Sequence, residues 1–222
     1  MPSSSFWPMT DLRLRTPRLE LRWPGEADLA ALAELAAAGI HDPSVQPFAV
    51  PWTDVPPAER ARSVLQYQWG RWAAWQPSDW TLALAVVEDG IVVGLQGISG
   101  HDFAVTRRVS TGSWLGQAYQ GRGIGTQMRA AVLYLAFAGL NAQHAVSSAY
   151  ESNVASLAVS RRLGYADDGI DVLAIRGRPV VLRRLRLDRT TWQGSQDAPD
   201  ERAVPVEIAG LEPCLPHFGL AG

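Results

Sequence analysis

The sequence contains no lysine, and arginine supplies all 20 of the residues counted as Lys plus Arg. This absence excludes Schiff-base chemistry, a lysine general base and the phosphate-loop lysine of nucleoside triphosphatases. Codon usage in a GC-rich genome is the simpler cause, so we assign the absence no function of its own. The 22 acidic residues leave a net charge of -2, and this balance argues against a nucleic-acid partner.

Cysteine and long apolar runs are scarce as well. Cys214 is the single cysteine and cannot form an internal disulfide, which favours a reducing, cytoplasmic setting. The longest apolar runs, such as 130–140, fall short of the ~20 residues that span a bilayer. The first 15 residues lack the basic and apolar regions of a signal peptide. We therefore expect a cytoplasmic protein with no membrane partner, and no His or Cys spacing suggests a metal.

The hydrophobic patterning predicts a domain that mixes strands and helices. With 47% apolar residues in 222, a single core is expected. Asp89 and Gly90 form a two-residue hairpin signal between two strands. Trp69, Trp72 and Trp75, spaced by three, are predicted to face the core. The predicted strands are 12–23, 80–88, 91–98, 108–115, 145–150, 171–175 and 179–187, and the main helices are 25–39, one after Pro56–Pro57, one from about 125 to 140, and 153–163.

Polar residues divide the chain near its end. Residues 1–193 form the predicted domain, and 194–203 read as a linker without periodicity. Residues 204–222 regain apolar character but are too few to fold alone. We expect this tail to dock on the domain or on a neighbouring subunit.

The densest chemical signal is the loop Gln120-Gly121-Arg122-Gly123-Ile124-Gly125-Thr126, between a strand and a helix. Alternating glycines leave backbone N–H groups free, and a helix N-terminus attracts phosphate. A plain glycine turn remains the alternative. The dinucleotide fingerprint fits poorly, because the third glycine comes one residue early, and the triphosphate loop needs a lysine. The remaining phosphate-binding interpretation is that backbone amides bind a pyrophosphate, as in a coenzyme A (CoA) site.

This loop resembles the Q/R-x-x-G-x-G/A signature of the GNAT acyltransferases. Asn153 at a helix start, with Gly164 and Tyr165 after that helix, is similar to the second element of the family. Trp114-Leu115 and the N-x-x-S of Asn153 to Ser156 resemble the branch with ribosomal-protein N-terminal acetyltransferases. HDPSVQPFAVPWT, DFAVTRRVSTGSWLG, MRAAVLYLAFAGL and the tail segment VEIAGLEPC resemble mycobacterial, hence actinobacterial, succinyl-CoA-dependent transferases.

The resemblance implies an α/β fold: a mixed, mostly antiparallel seven-stranded sheet, splayed at its centre, with helices on both faces. It also implies a CoA-dependent N-acyltransferase whose co-substrate is acetyl-CoA or succinyl-CoA, without a metal. The acceptor is expected to be a primary amine: a protein N-terminus, a lysine or a small amine. Attack is expected to be direct, within a ternary complex. We also expect a homo-oligomer.

The same resemblance implies the site residues. The amides of Gln120, Gly121, Arg122, Gly123, Ile124, Gly125 and Thr126 hold the pyrophosphate, and Trp114 and Leu115 pair with the pantetheine arm. A backbone N–H near Trp114–Gly116 faces the thioester oxygen. Asn153 bonds the pantetheine or simply caps its helix. Many members have a general-acid tyrosine where this chain has Ser160, whereas the N-terminal-acetylating branch uses the serine equivalent to Ser156.

Two questions stay open at this level. The general base is unassigned, and Glu151, Asp102 and His101 are candidates only because they lie near the motif in sequence. Arg107, Arg108, Arg176 and Arg178 are candidates for binding a succinyl carboxylate. The missing tyrosine also leaves an alternative function, a non-catalytic CoA-binding or regulatory module that has lost the chemistry.

Overall fold

The computed structural model describes residues 5–48, 50–197 and 204–221. Within these ranges one mixed sheet contains nine strands: β1 (Arg13–Arg15), β2 (Leu19–Arg22), β3 (Asp79–Glu88), β4 (Ile91–His101), β5 (Arg108–Leu115), β6 (His144–Tyr150), β7 (Ala166–Ile175), β8 (Arg178–Asp188) and β9 (Glu207–Ala209). Six α-helices accompany the sheet: α1 (Glu26–Ala38), α2 (Pro57–Ala73), α3 (Phe103–Thr106), α4 (Ile124–Tyr134), α5 (Val154–Arg162) and α6 (Arg189–Asp197). None of the described helices is long and apolar enough to cross a membrane.

The predicted α/β class is confirmed, but the sheet has nine strands rather than seven. The order is β7-β8-β6-β5-β4-β3-β2-β1-β9. One extra strand arises because residues 12–23 form two strands, not one. The chain reverses at Pro17, where the Thr16 hydroxyl accepts a hydrogen bond from the Leu19 amide at 3.0 Å. The other extra strand is β9, which comes from the tail and pairs antiparallel with β1.

The sheet is open between β5 and β6. These two strands are parallel and pair only where Arg108–Ser110 meets His144–Val146. Every other neighbouring pair in the described sheet is antiparallel, and β4 stays paired with β5 as far as Leu115. The remainder of β5 therefore faces a gap instead of a hydrogen-bonded partner.

Two apolar clusters cover the two faces of the sheet. The larger cluster packs α4 and α5 against one face and includes Val109, Leu115 and Ile124. The smaller cluster lies under α1 and α2 and includes Leu32, Val64 and Leu95. The tryptophan prediction is right for Trp75, which is buried, and wrong for Trp69, which is 52% exposed. Trp69 and Trp72 are three residues apart on a helix of 3.6 residues per turn and so point in different directions, and Trp75 lies beyond the end of α2.

The tail contacts the same domain. Phe218, in the 3-10 helix Glu212–Phe218, packs against Trp80 with ring centroids 4.8 Å apart, and Cys214 is buried beside it. Burial raises the pKa of the Cys214 thiol to about 11. The predicted linker begins too early, because α6 continues to Asp197, and the rest of that segment, 198–203, lies outside the described residues.

Candidate active site

The glycine loop presents a row of backbone donors at the start of α4. Gly121 and Gly123 have φ of +73° and +80°, which only glycine adopts without strain, and a Cβ at either would meet open space. Within the described residues, the amides of 121–125 make no hydrogen bond to the protein. The Gln120 and Thr126 amides are already bonded, to the carbonyls of Gln117 and Gly123. Five of the seven amides predicted to bind the pyrophosphate are therefore unpaired among the described residues.

Side chains fix this loop from both ends. The Gln120 amide nitrogen donates to the carbonyls of Ile40 at 2.5 Å and Leu115 at 3.0 Å, tying the loop to the end of α1 and to β5. Arg18 donates to the Arg122 carbonyl at 3.0 Å and also pairs with Glu88. Arg122 reaches the other oxygen of Glu88 at 3.1 Å. Gln120 and Arg122 thus shape the loop through their side chains, which the sequence pattern did not predict.

The open end of β5 lies beside this loop. The Gly116 amide donates to Val93 on β4 at 3.0 Å. Since successive residues of a strand point their N–H groups to opposite sides, Trp114 also faces β4, whereas Leu115 faces the gap. Of the three residues expected to supply the thioester donor, the pairing therefore favours Leu115. The Trp114 side chain instead packs near Trp52, with ring centroids 6.0 Å apart.

The serines of α5 have different surroundings. Asn153 caps the helix, its side-chain oxygen accepting from the Ser156 amide at 3.1 Å. Ser160 is fully buried, donates to the Ser156 carbonyl at 3.0 Å and accepts from Arg129 at 2.7 Å. Within the described residues, the Ser156 hydroxyl makes no hydrogen bond, and it is partly exposed. Ser156 therefore has a free hydroxyl, whereas the hydroxyl of Ser160 is fully engaged.

A cavity of about 760 Å³ lies between α2 and the sheet, where β5 runs along the gap. Its walls carry aromatic rings and hydroxyls, including Phe48, Trp52, Tyr67, Thr111, Ser113 and Trp114. Arg71 is the charged residue of the described lining, and its guanidinium lies 5.4 Å from the centroid of the Tyr67 ring. The proline-rich loop 41–55 contributes Phe48, Val50 and Trp52 to this lining, whereas segment 167–178 contributes none of the described lining residues.

The sequence candidates for a general base lie elsewhere. Glu151 pairs with Arg183 at 2.5 Å, and its side chain is 55% exposed. His101 and Asp102 lie 3.4 Å apart on the surface, at the far end of β4. None of the three lines the cavity, and no carboxylate or histidine belongs to its described lining.

The sequence candidates for carboxylate binding are also displaced from the cavity. Arg176 pairs with Asp54. The Arg107 guanidinium lies 5.7 Å from the centroid of the Phe103 ring and donates to the Leu140 carbonyl at 3.5 Å. Arg108 and Arg178 are exposed and do not line the cavity. Sequence reasoning missed Arg71. The i, i+4 pair of Tyr67 and Arg71 on α2 was the available signal.

Comparison with known proteins identifies a family for most of the chain. Residues 18–166 match the family described as Acetyltransferase (GNAT) domain. Mycobacterium smegmatis RimJ, solved with a CoA disulfide, is 20% identical, with 88% of this chain and 92% of that chain covered and a TM-score of 0.67. RimL, a ribosomal L7/L12 alpha-N-protein acetyltransferase solved with CoA, is 19% identical over 78% and 95%, with a TM-score of 0.63.

A relative with a different named acceptor shares the fold. The spermidine/spermine N-acetyltransferase SpeG from Vibrio cholerae is 15% identical over 81% of this chain and 99% of that chain, with a TM-score of 0.62. At these identities the structures show the fold alone. The family match covers more than half of the chain, so this protein belongs to the GNAT acetyltransferase family.

Proposed function

We propose that this protein transfers an acyl group from acyl-CoA to a primary amine. One observation carries the proposal: the loop with the five free amides and the cavity under α2 both adjoin the part of β5 that β6 leaves unpaired, the loop through the Gln120–Leu115 hydrogen bond and the cavity through residues 111–114. When the amides bind the pyrophosphate, the pantetheine arm can run along the unpaired edge of β5. The thioester then reaches the cavity where an acceptor can enter.

The chemistry follows from this placement. Acceptor and thioester meet in a ternary complex, and attack is direct, so positioning supplies much of the rate. The Leu115 amide, directed into the gap, pairs with the pantetheine arm and so directs the thioester along β5. The free hydroxyl of Ser156 protonates the leaving thiolate, and Asn153 holds the start of α5 in place.

The cavity favours an acceptor of low basicity, namely a protein N-terminus. Its described lining has no carboxylate or histidine to take a proton, so the amine must arrive neutral. The pKa of an α-amine is about 7.7–8.0 and that of a lysine about 10.4. Near pH 7.5 the neutral fraction of an α-amine is therefore about 200-fold larger than that of a lysine. RimL, named for α-N-acetylation, shares this fold. A polyamine would also meet the positive charge of Arg71.

Arg71 supports succinyl-CoA as a donor besides acetyl-CoA. A succinyl group ends in a carboxylate, and the guanidinium binds planar carboxylates through two parallel hydrogen bonds. Acetyl-CoA places no charge there. The cavity volume of about 760 Å³ leaves space for the longer acyl group together with an acceptor terminus.

Thiol release tests the proposed function. Acetyl-CoA and succinyl-CoA are each offered with a peptide whose only amine is its N-terminus, a peptide whose only amine is a lysine, and spermidine. We expect turnover with the N-terminal peptide and at least about 100-fold lower kcat/KM with the lysine peptide, following the neutral fractions. Tight binding of acyl-CoA without turnover on any amine would instead favour the regulatory module.

A further inference from the structure

Two buried hydroxyls meet where β5 and β6 separate. Thr111 comes directly after Ser110, the last residue of β5 that pairs with β6. Its side-chain oxygen lies 3.3 Å from the hydroxyl of Tyr165, just before β7. The two residues are 6% and 5% exposed. The pair therefore occupies the apex of the gap, the point that the end of the pantetheine arm approaches in the proposed function.

Thr111 contributes to both sides of the sheet. It lines the cavity under α2, while its partner Tyr165 belongs to the apolar cluster of α4 and α5. The other contact of the Thr111 hydroxyl is the Val146 carbonyl at 3.5 Å, which is the limit of a hydrogen bond. When Tyr165 donates to Thr111, the proton of Thr111 is free to turn to a ligand in the gap.

A buried positive charge lies near this pair of hydroxyls. Arg129 on α4 is 5% exposed and donates to Ser160, and its Nε has no partner among the described residues. Burial raises the pKa of Tyr165, while the charge of Arg129 acts in the opposite direction. The Thr111 hydroxyl has a single proton, and the Val146 carbonyl can only accept it. Tyr165 therefore donates to Thr111 whenever Thr111 turns its proton to Val146 or to a ligand.

We propose that Tyr165 is a positioning residue that directs the Thr111 hydroxyl at the sulfur of the departing CoA thiolate. The inference rests on the proposed acyl transfer. When the tetrahedral intermediate collapses, the C–S bond breaks and its electron pair goes to sulfur. Thr111 donates a hydrogen bond to that sulfur and keeps its own proton. The proton that neutralises the thiolate comes from Ser156, which regains one from water.

Kinetics of four variants test the inference. Thr111→Val removes the donor with little change in shape, Thr111→Ser restores a hydroxyl, and Tyr165→Phe removes the orienting group. Tyr134→Phe is the control, because it removes a tyrosine hydroxyl whose ring packs on Trp192, away from the gap. We expect kcat to fall at least about tenfold in Thr111→Val and about threefold to tenfold in Tyr165→Phe, with KM little changed. Thr111→Ser and Tyr134→Phe should stay within twofold to threefold of wild type.

A binding measurement separates this inference from the proposed function. At about pH 9, where much of the CoA thiol is ionised, calorimetry compares CoA with desulfo-CoA. Wild type should bind CoA more tightly than desulfo-CoA. In Thr111→Val and Tyr165→Phe the ratio of the two affinities should fall about threefold to tenfold, with the affinity for desulfo-CoA unchanged. Unchanged kcat and unchanged CoA preference in both variants would overturn the inference. Absent turnover in wild type with the preference intact would overturn the acyl-transfer proposal alone.

Discussion

The two sides of the gap between β5 and β6 are built in different ways. On the side of α4 and α5, backbone amides and helix-capping groups from two short segments form the site, within 120–126 and 153–160. On the side of α2, side chains from a loop, a helix and three strands form the cavity. One side therefore presents mainly backbone groups, whereas the other presents a particular set of side chains.

This difference separates the common part of the reaction from the specific part. Backbone donors at a helix start bind a pyrophosphate whatever the neighbouring side chains are. A cavity of aromatic rings, hydroxyls and one arginine selects by shape and charge, and substitution there changes which substrate fits. Substitutions on the α4 side should therefore weaken the binding of every acyl-CoA equally. Substitutions on the α2 side should affect one acyl donor more than another.

The largest expected effect is on the α4 side, in Gly123→Val. A valine at φ of +80° is strained, and its side chain fills the space in front of the free amides. Losing two charge-assisted hydrogen bonds of about 1.5–3 kcal/mol each raises the Kd of CoA at least about 100-fold. Calorimetry with CoA, acetyl-CoA and succinyl-CoA should show the same loss for all three.

Gly177→Val is the matched control for this experiment. Gly177 also has positive φ, +71°, with open space around a built Cβ, but it lies in the turn between β7 and β8. It should carry similar backbone strain and bind CoA normally. Equal loss of affinity in the two variants would attribute the effect to destabilisation, and normal affinity in Gly123→Val would remove the phosphate site from α4.

The same difference explains what the sequence could predict. On the α4 side, the glycine loop with its helix start and the cap of α5 could each be predicted because each is local, formed within a few positions of the chain. The cavity could not, since Arg71 and Thr111 meet only after α2 has packed across the sheet. One extra strand was missed because the short turn at Pro17, which Thr16 and Leu19 close locally, was taken as part of a single strand. The other was missed because the pairing of β9 with β1 joins residues far apart in the sequence.

Ser156→Ala should give the next largest effect, because Ser156 has the free hydroxyl on α5. The CoA thiol ionises near 8.5, so help from an acid is useful but not essential at neutral pH. We expect kcat to fall about tenfold to a hundredfold, at the lower end of general-acid catalysis, with CoA affinity little changed. Steady-state kinetics and calorimetry on the same preparation measure both quantities.

Ser160→Ala is the companion variant, and we expect it to lower stability rather than kcat. Removing its hydroxyl leaves the buried guanidinium of Arg129 without that acceptor, which costs about 1–3 kcal/mol of stability. A lower Tm with kcat within a few-fold of wild type is expected. A wild-type rate in Ser156→Ala together with a large loss of kcat in Ser160→Ala would assign the acid to Ser160 instead.

On the α2 side, Arg71→Gln should discriminate between donors. Arg71 is exposed, and solvent weakens a charge-assisted contact to the succinyl carboxylate, so we expect about a fivefold loss of kcat/KM for succinyl-CoA, or ~1 kcal/mol. The value for acetyl-CoA should stay within twofold. Arg62→Gln, on the same helix but outside the cavity lining, should change neither donor. An equal loss for both donors in Arg71→Gln would refute carboxylate recognition by Arg71.

The smallest effect is expected behind the glycine loop, in Arg18→Met. Arg18 holds the Arg122 carbonyl and one oxygen of Glu88, so its removal loosens the loop without touching the free amides. The Arg18 side chain is 41% exposed, and solvent already weakens these contacts. We expect the Kd of CoA to rise about two- to fivefold, equally for acetyl-CoA and succinyl-CoA. Arg15→Met, which removes surface pairs with Glu20 and Glu207, should leave it unchanged. A donor-dependent change in Arg18→Met would show that the α4 side also selects the acyl group, which would break the division of roles between the two sides of the gap.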